Sequence, residues 1–259
     1  MYFNNIHILI YLIIGLIGCI VGQCVGLVNE RLANHEKIIC RGSLKKFKIE
    51  FVPHYILMIV MFVTYIGILY SCGIDKNWYS NIKLFSYFIL MPLLLSAFMI
   101  DLKKQIIPNR LVLTIFELGL LFTFLEGITS PTGMTFALNR LEGMIFGALL
   151  FLIITLIGGL FAGKDAMGFG DVKLIASIGL FFGMRNIIMI AILSFLIGAV
   201  ASIILLVTKK KKVDEYIPFG PFIVISTIIA MVLPEGLLFQ YLWYVFSAEW
   251  FISIFNVFK

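Results

Sequence analysis

Apolar stretches recur along the whole chain, most of them near the ~20 residues that cross a bilayer, while the sixth, 172–184, is short for a crossing and is expected to tilt shallowly or border an aqueous cleft. They fall near 7–28, 52–72, 82–100, 108–126, 141–161, 172–184, 187–207 and 219–233. In lipid every backbone N–H and C=O must find its partner within the protein, which for runs of this length means helices. The chain is therefore expected to be an all-α polytopic membrane protein of about eight transmembrane helices. A single cleavable signal peptide cannot account for so many blocks. A chain 61% apolar and only 13% charged also lies outside the range of soluble domains.

The charges then set the orientation. Threading the eight segments in order leaves fifteen of the twenty Lys and Arg on one side and five on the other. That asymmetry marks the lysine-rich side as cytoplasmic and makes anionic membrane lipid the partner of the net charge of +6, with no nucleic acid implied. The reading divides a single helical membrane domain, 1–259, into a basic cytoplasmic loop at 29–51, a core at 82–233 and an aromatic tail at 236–259. The tail carries Trp243 and Trp250 and is expected at the outer interface. Gly15, Gly18, Gly22 and Gly26 recur three or four apart, which gives the first helix a smooth face for close packing.

Neither cysteine nor histidine spacing signals a metal. Cys19, Cys24, Cys40 and Cys72 form no Cys-x-x-Cys pair, and His7, His35 and His54 are scattered. The acids are more informative, because a carboxylate at the edge of a lipid-soluble helix is costly to keep. Asp101 follows the third apolar block, and Asp171 opens the sixth within Gly168-Phe169-Gly170-Asp171-Val172-Lys173-Leu174. The topology places both at the cytoplasmic edge. Two carboxylates suffice to hydrolyse a peptide bond: one, ionised, takes a proton from water while the other, protonated, polarises the carbonyl. Placed close together they share a proton, since both cannot ionise cheaply. A helix N-terminus favours the anion and a C-terminus the neutral acid, which assigns Asp171 as resting base and Asp101 as its protonated partner. Lys173, Lys103 and Lys104 lie near enough in sequence to reverse that assignment.

Gly168 and Gly170 admit unusual backbone angles and close approach of a substrate strand. The plainer alternative is a turn with Asp171 as a simple N-cap. Pro108 is expected to start the fourth helix. Glu117 lies about two turns into that helix, as a functional acid or as a bundle-facing neutral one with a hydrogen-bond partner.

The stretch 167–174, followed by Gly179 and Gly183, resembles the Gly-x-Gly-Asp region of the type IV prepilin peptidases. Asp101 with Ile106-Ile107-Pro108-Asn109 resembles that family's other aspartate and its downstream motif, and Pro218-Phe219-Gly220-Pro221-Phe222 its last cytoplasmic motif. Gly22 through Arg31-Leu32 is similar to the family's N-terminal segment, more loosely. The resemblance implies a GxGD-type aspartic protease bundle in the bacterial inner membrane, with its active site facing the cytoplasm. It implies cleavage of type IV prepilin or pseudopilin precursors, which would present a short positive leader in the cytoplasm and an apolar helix behind it, with Asp101 and Asp171 catalytic and no cofactor for the peptidase. Gly168, Gly170, Lys173, Pro108, Asn109, Pro218, Gly220 and Pro221 would support the site or bind substrate. Glu30, Glu36, Asp214 or Glu215 would guide the cationic leader. Many such enzymes also methylate the new N-terminus with S-adenosylmethionine and carry two Cys-x-x-Cys pairs in the first loop. Here that loop holds Cys40 alone. The competing class is a proton-coupled transporter relaying protons through Asp101, Glu117 and Asp171. Carriers place such acids near the bilayer midplane, whereas two of these three lie at one edge.

Overall fold

A computed structural model describes residues 2–3, 6–33, 54–75, 77–162, 167–208 and 217–234, together with 237 and 240. Most of the basic loop, the lysine run 209–212, Cys40, Glu36, Asp214, Glu215 and the aromatic tail apart from 237 and 240 lie outside these residues. Two short strands, β1 (Tyr2–Phe3) and β2 (Ile6–His7), pair antiparallel ahead of seven helices. These are α1 (Ile8–Ala33), α2 (Tyr55–Cys72), α3 (Trp78–Lys104), α4 (Asn109–Thr129), α5 (Met134–Ala162), α6 (Phe169–Val207) and α7 (Gly220–Val232). Among the described residues six helices are long and apolar enough to cross a membrane, and α7 is a shorter apolar one. The protein is an all-helical, multi-pass membrane protein.

At 39 residues, α6 would extend about 58 Å if straight, roughly twice the hydrocarbon thickness. It doubles back instead. Gly183 has φ 73° and ψ 177°, a conformation essentially restricted to glycine. A methyl group placed on Gly147 of α5 would lie 3.3 Å from atoms of both Ile175 and Ile187, residues that a straight helix would hold about 18 Å apart. The arms 169–182 and 184–207 are thus a hairpin. With the arms taken separately, the described helical segments are the eight expected from hydropathy. Gly143 and Gly179 let α5 and the first arm meet backbone to backbone: a Cβ on Gly179 would lie 2.6 Å from the Gly143 carbonyl. The glycine face of α1 does the same against α2, where a Cβ on Gly18 or Gly22 would stand 2.7 Å from the carbonyl of Met61 or Leu57.

The central layer is α3, α7 and the α6 hairpin, whose Leu90, Met91, Leu94, Ile175, Ile178, Ile187, Ile223 and Val224 are all fully enclosed. Several boundaries differ from expectation. Helix α3 runs 78–104 rather than 82–100, so Asp101 lies within its last turn instead of beyond it. The loop expected at 129–139 contracts to 130–133, because α5 already begins at Met134. Most side chains of this first stretch are exposed, and it is anchored by Arg140, which is buried against Glu126 of α4.

Candidate active site

Three polypeptide segments converge at one end of the bundle. The first is the C-terminal turn of α3, closed by Gln105, whose left-handed backbone (φ 55°, ψ 34°) returns its N–H to the Asp101 carbonyl at 2.8 Å. The chain then passes through Ile106 and Ile107 to Pro108, which caps α4 with the extended backbone that proline allows. The second segment is the N-terminus of α6. Gly168 occupies the N-cap position, and Asp171 stands in the first turn with its N–H bonded to the Gly168 carbonyl at 3.0 Å. Asp171 is therefore not the cap, and the plain-turn alternative loses its stated role for this residue. The third segment is 217–219 leading into α7, where Phe219 caps the helix and Pro221 occupies its first turn.

Ile107 is the common contact among the three. A Cβ on Gly170 would lie 3.2 Å from the Ile107 Cβ, and one on Gly220 would lie 3.1 Å from its Cδ1. The same Gly220 Cβ would stand only 2.5 Å from Asp101 Oδ2. Glycine at 220 is thus what lets the α7 backbone close over this carboxyl. Asp101 and Asp171 are buried to 4% and 3% exposure, and Asp101 is near enough to act electrostatically on Asp171. Asp101 Oδ2 and Asp171 Oδ1 are buried without a hydrogen-bond partner. Buried polar atoms are nearly always partnered, so two unpartnered carboxyl oxygens in one place call for a chemical reason.

The remaining sequence candidates divide by depth. Pro218, Gly220 and Pro221 are buried beside Asp101, while Gly168, Gly170 and Pro108 are partly covered. Lys173 and Asn109 lie at the exposed rim, where the lysine Nζ donates to Asn109 Oδ1 at 3.0 Å and sits 5.2 Å from the Phe169 ring centroid. That tie joins α4 to α6 and turns the ammonium outward. Lys103 and Lys104 are exposed as well. Glu117 is not gathered with the aspartates: it occupies an exposed face of α4.

The buried acid of α4 is instead Glu126, which sequence reasoning passed over. Its Oε1 accepts from Ser86 at 3.2 Å and its Oε2 from Arg140 Nη2 at 3.0 Å. Glu117 and Glu126 are nine residues apart, so at ~100° per residue they face opposite sides of one helix. Only one can point inward, and an evenly apolar membrane helix does not reveal which. Arg140, of opposite charge across a short turn, was the available signal. Among the described residues no group of three His, Cys, Asp or Glu side chains is placed to hold a metal ion.

Residues 88–203, a stretch that includes both aspartates, match the type IV leader peptidase family. The chain is also similar to relatives named prepilin leader peptidase/N-methyltransferase. The protein from Aeromonas salmonicida is 33% identical over 143 residues, covering 55% of this chain and 47% of that protein. The Pseudomonas aeruginosa protein is 33% identical over 150 residues, 58% and 49% of the two chains. That from Legionella pneumophila is 30% identical over 170 residues, 65% and 57%. The alignments thus span about half the length of these curated relatives. No solved structure matches the chain.

Proposed function

We propose that the protein is a membrane aspartic endopeptidase that removes the leader from type IV prepilin-like precursors at the cytoplasmic face of the bacterial inner membrane. The observation that carries this reading is the pair of buried carboxyls from α3 and α6, each with one oxygen that has no hydrogen-bond partner among the described residues. A water between them would supply the missing donors. In the proposed reaction the ionised Asp171 takes a proton from that water as its oxygen bonds to the scissile carbonyl carbon. The protonated Asp101 donates to the carbonyl oxygen. On collapse of the tetrahedral intermediate the C–N bond breaks as Asp101 takes back a proton from one of the two hydroxyls, and the proton held by Asp171 passes to the leaving amine. The position of Asp171 in the first turn of α6, and of Asp101 in the last turn of α3, supports this division of labour through the helix dipoles.

The relatives' names include a methyltransferase, and S-adenosylmethionine is the donor such an activity would use. Among the described residues the polar cavity at Asn29, His54 and Lys103 holds about 60 Å³, well below the ~300 Å³ at which ligand clefts begin. Cavities of about 760 and 440 Å³ are lined almost wholly by apolar side chains. None of these three cavities fits the donor, and no methyl-transfer step is assigned to them. Coexpression with a prepilin, read as a gel shift, tests the peptidase. Wild type should shorten the precursor, whereas Asp101→Asn and Asp171→Asn should leave it intact. Processing that survives in both variants refutes the proposal.

A further inference from the structure

An apolar groove of about 440 Å³ opens beside Asp101, between the end of α3, the second arm of α6 and the start of α7. Leu102 and Gln105 form one wall, Ala201, Ile204 and Leu205 another, and Pro218, Pro221 and Phe222 the floor. Among the described residues no charged side chain lines it. Leu102 and Ile204 are more than half exposed, so the groove opens sideways, where lipid would lie. The Phe219 and Phe222 rings rest on Gly198, where an added Cβ would stand 3.2 Å from each.

We infer that this groove holds the apolar helix that follows the scissile bond in the precursor. The inference rests on the proposed peptidase function and specifies where that substrate lies. Its main support is continuity with the carboxyls. The loop that contributes Pro218, Pro221 and Phe222 to the groove also sets the Gly220 backbone against Asp101 Oδ2, and Leu102 is the residue after Asp101. A helix seated there would bring its first residues to Asp101 without crossing the bundle. Along α6 the lining runs from Ala201 to Leu205, about one helical turn, which suits the end of a helix laid alongside by its apolar face. A cationic leader finds no countercharge in this lining, so the groove selects the part of the precursor behind the cut. Ala201 supplies the space, being the smallest side chain in the wall.

Two measurements test this with the full-length protein in lipid nanodiscs. In the first, a photo-crosslinking benzoylphenylalanine is placed at Leu205 of an Asp171→Asn variant, with a control at Leu160, which is 84% exposed on α5. Capture of a prepilin through its apolar helix from 205 but not from 160 is expected. Crosslinks only to lipid, or only to a second copy of this chain, overturn the inference. In the second, Ala201→Trp should raise the KM for the full precursor at least tenfold with kcat changed less than threefold, and Ile157→Trp on α5 should change neither. An unchanged KM in Ala201→Trp overturns the inference while wild-type cleavage leaves the peptidase reading intact. A wild-type protein that cleaves no precursor refutes that reading instead, and the crosslink still decides what occupies the groove.

Discussion

Two buried acidic sites occupy opposite ends of the same helices, and they are finished differently. Glu126 has each oxygen engaged, one by Ser86 and one by Arg140, and the Arg140 guanidinium lies 4.7 Å from the Phe136 ring centroid. The Arg140–Glu126 pair is 6% and 4% exposed, a buried ion pair between α4 and α5 in which both acid oxygens are engaged and only Arg140 Nη1 has no hydrogen-bond partner among the described residues. About 27 Å along α3 from Lys83, a neighbour of that joint, Asp101 and Asp171 each keep one oxygen without a hydrogen-bond partner among the described residues. Leaving such a group unpaired costs ~1–3 kcal/mol. A fold that satisfies one acid completely and leaves two open has spent packing on the first and kept the others available. Unsatisfied groups of this kind concentrate at functional sites.

The largest expected effect lies at the open site. Asp101→Asn or Asp171→Asn should lower prepilin cleavage by ~10²–10⁴-fold, the range of a lost general acid or base. Neither variant should unfold more readily than wild type. Cleavage by radiolabelled precursor assay and unfolding by denaturant titration in mixed micelles check both halves, and a large loss of stability would make these aspartates structural like Glu126. At the closed site the order is inverted. Glu126→Gln should cost ~3–5 kcal/mol of stability by leaving the Arg140 charge buried alone, and adding Arg140→Met should recover most of that loss. Per folded molecule, cleavage should change little, as a comparison of initial rates normalised to the folded fraction will read.

Smaller effects sharpen the boundary of the site. Gly220→Ala places a methyl against Asp101 Oδ2, and the displacement of a carboxyl by a fraction of an ångström to an ångström should reduce kcat by up to about 10²-fold. An equal loss in KM would instead indicate damage to the groove floor. Smallest of all, Lys173→Met should slow cleavage about fivefold or less, since its exposed bond to Asn109 is worth ~1 kcal/mol. A loss as large as that of the aspartate variants would move Lys173 from the rim into the reaction.

Much of the architecture was legible in advance because lipid imposes a simple demand. Each crossing needs a long apolar run, and charged residues must remain near the ends. The glycine spacing of α1 likewise announced a close packing face, and α2 occupies it. Helix ends were less legible. Leu102, Lys103 and Lys104 extend α3, and 134–139 extend α5, although most of these side chains are exposed, so helical hydrogen bonding runs past the hydropathic signal.

The sequence by itself determined that this chain crosses a membrane repeatedly and brings two motif-bearing aspartates to the same edge, because hydropathy and charge bias act on each segment separately. Tertiary structure decided which acids face inward, since Glu117 and Glu126 differ only in rotation about an evenly apolar helix. It also decided that Ile107 and Gly220 draw three distant segments around Asp101 and that Gly183 folds α6 back on itself. Those outcomes depend on which backbones can approach, and close approach is a property of pairs of segments that no single segment carries.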